Sequence, residues 1–153
     1  MDKVNERLGG YDNLVKLMKE AEKLNVVVSF HDNYDDTYMN NPGWDPETVS
    51  RDTLGNLMKG GVWNSRQCFL ISSYKFALKS GLERVRDTLR RYPIKTSYHI
   101  DVLSGAFKGG RRYDFNPESP SAAKKNLEGK FMIIDEFSKH CVDVTTEDFS
   151  SLF

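Results

Sequence analysis

The chain has 153 residues, 39% hydrophobic and 29% charged, which suits one soluble domain with a single core. Its 22 Lys and Arg balance 22 Asp and Glu, so no net field gathers a polyanion. That argues against nucleic acid or an anionic membrane as the main partner. No apolar run approaches the ~20 residues that span a bilayer.

The opening residues, Met1 to Arg7, are polar and lack the apolar centre of a signal peptide. Cys68 and Cys141 stand far apart and outside any metal-ligand spacing, so they leave the redox compartment, and with it the location, open. Nothing in these residues sets the oligomeric state.

From Asn13 to Leu24, Leu14, Leu17, Met18, Ala21 and Leu24 form the stripe of an amphipathic helix, with Asn25 as its stop. Val26 to His31 follows as a β-branched strand. The stretch from Asp32 to about Ile71 reads as one long loop. Its aromatic residues (Tyr34, Tyr38, Trp44 and Trp63) make it a folded lid rather than a disordered tail.

Ser72 and Ser73 can cap a second helix running to about Tyr92, where Pro93 ends it. Tyr74, Leu78, Leu82, Val85, Leu89 and Tyr92 give its apolar face. Ser97 to Leu103 is the second strand, followed by a polar loop with Gly105, Gly109 and Gly110. Arg111, Arg112 and Asp114 in that loop read as solvated. Pro120 suits a first helical position, and Leu127, Phe131, Ile134 and Phe137 mark a third helix. Val142 to Glu147 is the third strand.

The order is α-β-α-β-α-β with no hairpin signal between strands, which predicts parallel strands joined by right-handed crossovers. Three such units cannot close an eight-stranded barrel of typically ~250 residues. The chain stops at Phe153, soon after a strand. The expectation is therefore a slice of a (β/α) barrel, residues 1–153 forming part of one catalytic domain that continues on both sides.

In parallel α/β folds the chemistry lies at the C-terminal ends of the strands. Parity gives each strand an apolar and a polar face. Val28 and Phe30 oppose Ser29 and His31. Tyr98, Ile100 and Val102 oppose His99 and Asp101, while Val142, Val144 and Thr146 oppose Asp143, Thr145 and Glu147. One such Asp or His alone is more often a turn former or a hydrogen-bonded core residue. Three strands repeating the pattern favour a site.

Two carboxylates facing one cavity suit glycoside hydrolysis, with Asp101 ionised and Glu147 as the proton donor. Trp44 and Trp63 could stack on a sugar or cover the core.

The ordered set Val28-Ser29-Phe30-His31-Asp32-Asn33-Tyr34, then Gly60-Gly61-Val62-Trp63-Asn64, then His99-Ile100-Asp101-Val102 adds a further indication. It resembles the catalytic barrel of the endo-α-N-acetylgalactosaminidase-like glycoside hydrolases and their bacterial relatives, over roughly Val26 to Glu147. The resemblance implies a retaining α-glycosidase acting on α-linked galactosyl or N-acetylgalactosaminyl groups of a carbohydrate or glycoconjugate. It places the nucleophile on Asp101 and the acid/base on Glu147, with Asp148 as the competitor. It sets His31, Asp32, Tyr34, Trp63 and His99 around the substrate, and calls for no cofactor or metal. Ser65 stands where the family's lid carries a second tryptophan.

Two other readings compete. One is a metal-dependent hydrolase using His31, Asp32, His99 and Asp101. The other is a non-catalytic carbohydrate-binding protein using Trp44 and Trp63.

Overall fold

The computed structural model describes residues 4–103, 113–117, 120 and 123–147. The first helix, α1, runs Gly10–Lys23 and begins after a short turn at Glu6–Leu8. Its end is set by Asn25, whose φ of 57° lies in the left-handed region. That bend lets the Val26 N–H reach the Ala21 carbonyl at 2.9 Å and the Asn25 N–H reach that of Glu22 at 3.0 Å. Both bonds satisfy carbonyls that a helix end leaves open, so the stop expected at Asn25 is where the helix closes.

The strand predicted over Val26–His31 pairs only later, as β1, His31–Asn33. Val26 and Val27 are exposed. The residues just before β1 still run beside the next parallel strand: Phe30 O accepts from His99 N–H at 3.1 Å, and the Ser29 hydroxyl donates to the Ser97 carbonyl at 2.5 Å.

The stretch expected as a lid loop is a second sheet. It contains β2, Asp36–Thr37, β3, Lys59–Trp63, and β4, Arg66–Leu70, in the antiparallel order β2-β4-β3. Trp63 pairs with Arg66, leaving Asn64 and Ser65 as a two-residue turn. Their φ values of 49° and 61° are both left-handed, the backbone that matches the right-handed twist of a hairpin. The expectation of no hairpin therefore fails. The reason is local: Asn-Ser does what Asn-Gly more commonly does, at a strain that the flanking ladder absorbs.

The second helix is interrupted. α2, Ser73–Phe76, passes through a wider π turn at Ala77–Gly81 into α3, Leu82–Arg91. Phe76, Ala77 and Val85 are buried, whereas Leu78, expected on the apolar face, is exposed. Ser72 does not cap with its side chain; it is buried, and its hydroxyl meets Asn126 Oδ1 at 3.3 Å.

β5, Ser97–Asp101, α4, Ala123–Ser138, and β6, Asp143–Thr145, are the remaining elements among the described residues. The parallel sheet has the order β1-β5-β6, with His31 opposite His99 and His99 opposite Thr145. The parallel α/β expectation holds here. Pro120 precedes α4 rather than standing at its first position. The buried face of α4 also differs from the expected stripe, because Phe131 is exposed while Asn126, Gly129, Lys130 and Ile133 are buried. A Cβ on Gly129 would fall 2.4 Å from the Ser73 and Tyr74 backbone, so only glycine allows α4 to lie this close to α2. Lys130 satisfies its charge inside by donating to the Leu103 carbonyl at 2.5 Å, with Asp35 at 3.9 Å.

The core lies between the parallel sheet and its helices. Tyr98 and Ile100 of β5 pack with Phe76, Val85, Ile133 and Phe137. Tyr98 stacks on Phe137 with centroids 4.6 Å apart. Full burial of Ile100 contributes roughly 1.5–3 kcal/mol of hydrophobic free energy. Asp114, expected in a solvated loop, is buried with Lys75 Nζ at 2.6 Å and accepts the N–H groups of Arg51 and Asn116. Arg111 and Arg112 lie outside the described residues. No helix among those described is long and apolar enough to cross a membrane.

Candidate functional site

The polar face of the parallel sheet is a row built by register. His31, His99 and Thr145 stand opposite one another on β1, β5 and β6, and Asn33 stands opposite Asp101 one step further along. Glu147, two residues beyond the end of β6, brings its carboxylate to His99. The apolar side of the same strands holds the core, so the side-chain parity read from the sequence matches the burial of β5, where Tyr98 and Ile100 are buried and His99 and Asp101 are not.

His31 and His99 meet edge to face with ring centroids 4.9 Å apart. His31 Nε2 lies 3.9 Å from Asp101 Oδ1, and His99 Nε2 lies 3.8 Å from Glu147 Oε1. On its other side, His99 Nδ1 pairs with Thr145 Oγ1 at 2.9 Å. The Asp101 side chain is 28% exposed and that of Glu147 is 57% exposed.

Asn33 was not singled out in the sequence, although its position two residues beyond His31 puts it on the same face. Its Oδ1 accepts the N–H groups of Asp35 and Asp36 at 2.8 and 3.1 Å. Those bonds fix the amide so that Nδ2 donates to Asp101 Oδ2 at 3.3 Å. Thr145 had a place in the parity pattern without a role, and the structure shows it holding His99.

Two of the residues expected around a substrate, Asp32 and Tyr34, stand on the helix side of the sheet. Asp32 points to the helix side of the sheet, where Arg84 grips it from α3 at 2.7 and 3.3 Å and the Tyr98 hydroxyl donates to it at 3.0 Å. Period two explains this, since Asp32 is one residue out of step with His31 and shares the side of Ile100. Tyr34 is 2% exposed and packs against Phe76, with the Arg84 guanidinium 5.2 Å above its ring. Burial, then the charge of Asp32, pushes its hydroxyl pKa up. Burial likewise raises that of Tyr98, with Tyr34 and Asp32 adding to it, so both phenols stay protonated. Trp63 projects from the β3–β4 hairpin, 54% exposed. Trp44 sits edge to face on Phe69 at 5.3 Å, as a cover for the antiparallel sheet.

A cavity of about 360 Å³ lies where α1, β1 and α3 meet, lined by Leu14, Phe30, His31, Asp32, Arg84 and Tyr98, so His31 is shared between it and the strand-end row. Neither Asp101 nor Glu147 lines it. The candidate site is the open strand-end row, which meets this cavity at His31. Asp148 lies outside the described residues.

The histidine and carboxylate set also has the make-up of a metal site. One ligand atom each from His31, His99 and Glu147 lie within 4.8 Å of one another. The metal set read from the sequence is changed in membership, since Asp32 is committed to Arg84 and Glu147 joins the two histidines.

No protein-family profile matches the chain, and no curated protein does. Solved structures do. A quadruple mutant of the α-N-acetylgalactosaminidase of Bifidobacterium bifidum superposes with a TM-score of 0.80 at 15% identity, over 95% of this chain and 23% of that one. The same enzyme in complex with GalNAc gives 0.80 at 15% identity, over 94% and 22%. An α-galactosidase from Thermus thermophilus, in complex with stachyose, gives 0.63 at 12% identity, over 93% and 29%. The chain is thus a mixed α/β unit whose parallel sheet matches a fragment of a glycoside hydrolase barrel. It spans about a quarter of the length of those structures.

Proposed function

We propose that this chain forms part of the catalytic barrel of a retaining α-glycosidase acting on α-linked galactosyl or N-acetylgalactosaminyl groups. The observation that carries the reading is the strand-end cluster in which two adjacent histidines each meet a carboxylate, His31 beside Asp101 and His99 beside Glu147. Carboxyl groups ~5–5.5 Å apart suit a retaining mechanism, in which one carboxylate attacks the anomeric carbon directly.

Asp101 is the nucleophile in this reading. The Asn33 amide holds one of its oxygens and leaves the other toward His31. Glu147 is the acid/base: it protonates the leaving oxygen, then takes a proton from the water that releases the sugar. His31 and His99, packed against each other, line the sugar's site beside the two carboxylates. Likeness of fold to an α-N-acetylgalactosaminidase and an α-galactosidase supports the substrate class. Asp32 and Tyr34 act as supports from beneath, through Arg84 and Tyr98.

The test is hydrolysis of nitrophenyl α-galactoside and α-N-acetylgalactosaminide by the full-length protein. Asp101→Asn should lower kcat by ~10³-fold or more. Glu147→Gln should spare substrates with good leaving groups and respond to added azide. Ordinary turnover by Asp101→Asn would remove the nucleophile assignment.

A further inference from the structure

We propose that His31, His99 and Glu147 form a binding site for a divalent first-row metal ion of borderline softness, zinc above all, at the mouth of the parallel sheet. Two of the chain's three histidines meet here, brought from different strands by the register that sets His31 opposite His99. Their ligand atoms and a Glu147 oxygen already lie within 4.8 Å of one another. A tetrahedral zinc with bonds of ~2.0–2.2 Å needs ligand atoms ~3.3 Å apart. The contraction falls on His31 and Glu147, whose side chains are exposed and can turn to meet an ion.

The second observation is the partner of His99. Its Nδ1 is engaged by Thr145 Oγ1 at 2.9 Å. In the tautomer that donates from Nδ1, the Nε2 lone pair faces Glu147, which is how a ligating histidine is oriented by a group behind it. Two imidazoles and one carboxylate leave a fourth position for water. Calcium and magnesium prefer shells made of oxygen, so the donor set selects a transition metal or zinc.

In one respect the inference rests on the glycosidase reading: a bound ion claims the Glu147 carboxylate that the reaction uses, so metal should silence turnover. Metal binding itself does not depend on that reading.

The untagged chain is titrated with zinc chloride by calorimetry, and with cobalt(II) followed by visible absorption. The expected result is one ion per chain, with affinity reduced ~10-fold or more by His31→Ala, His99→Ala or Glu147→Gln. Thr145→Val should weaken binding about tenfold although it removes no ligand, and His140→Ala should leave it unchanged. Absence of stoichiometric binding overturns the site, as does affinity that survives loss of His99 or follows His140. Glycoside hydrolysis is read separately. A protein that binds zinc through these residues and cleaves no α-galactoside keeps the metal site and loses the glycosidase reading. One that cleaves the glycoside and binds no zinc does the reverse.

Discussion

In the parallel sheet, Tyr98 and Ile100 turn to the helices while His99 and Asp101 turn away. In the antiparallel sheet, Cys68, Phe69 and Leu70 are buried one after another along β4, and the neighbouring β3 leaves Val62 and Trp63 to solvent. The first pattern belongs to a layer with a core on one side only. The second belongs to a central strand covered on both sides. Trp44 lies against Phe69, and a Cβ on Gly60 would come within 2.6 Å of Cys68 Sγ. Burial, with the charge of Asp36 next, pushes the Cys68 thiol up to about 11, so it packs rather than reacts. An ordered row of chemical groups can form only where one face is free of packing, and that is the parallel sheet.

The comparison can be broken most sharply at Ile100. Ile100→Ala should cost about 3 kcal/mol in chemical denaturation, because the site sits between sheet and helices and cannot collapse. A loss under about 1 kcal/mol would mean that the parallel sheet is not the main core.

A smaller effect is expected at Glu136, on α4, the helix whose Ile133 and Phe137 pack on the parallel sheet. Hydrogen bonds from Arg86 at 2.7 Å, then from Lys139 at 2.9 Å, hold its carboxyl at about 2, below the usual 4.5. A depressed carboxyl stabilises the fold fully above its unfolded value, and that contribution is lost as the pH falls from about 4.5 to about 2. Glu136→Gln should therefore cost on the order of 1 kcal/mol at pH 7, discounted because both cations are largely in water. The gap between variant and parent should close near pH 2. A gap that persists there would assign the effect to packing. The smallest effect is expected on the antiparallel side, where Val62→Ser at an exposed strand position should stay within about 0.5 kcal/mol.

The skeleton of the parallel region was legible because its signals are local. The helix stripe before Asn25, the Pro93 stop and the alternation in Ser97–Asp101 each need only a few neighbouring residues. The antiparallel sheet was not, since β2 has two residues and the hairpin turns on Asn64 and Ser65 rather than on a glycine. The α4 face was misread for a different reason. Its buried side is written in Asn126, Gly129 and Lys130, whose burial depends on partners far away in sequence. At the candidate site, parity assembled His31, His99, Asp101 and Glu147 correctly on one face. Parity was followed only as far as His31 and was not carried on to Asp32, which is one residue out of step with it. The motif reading kept Asp32 with the substrate, and Arg84, which holds it from the other side, carries no sequence signal of that role.

The π turn at Ala77–Gly81 has a consequence for how side chains are aimed further on. Residues spaced by fours drift about 40° around an α-helix at each step. Ala77, Gly81 and Val85 are spaced this way, and all three are buried. The wider turn takes up the drift, working as a phase corrector within the helix. Without it, everything after Gly81 would be rotated away from the sheet, and Arg84 would swing off Asp32. The floor beneath the strand-end row is thus kept in alignment by one turn of helix that is looser than its neighbours.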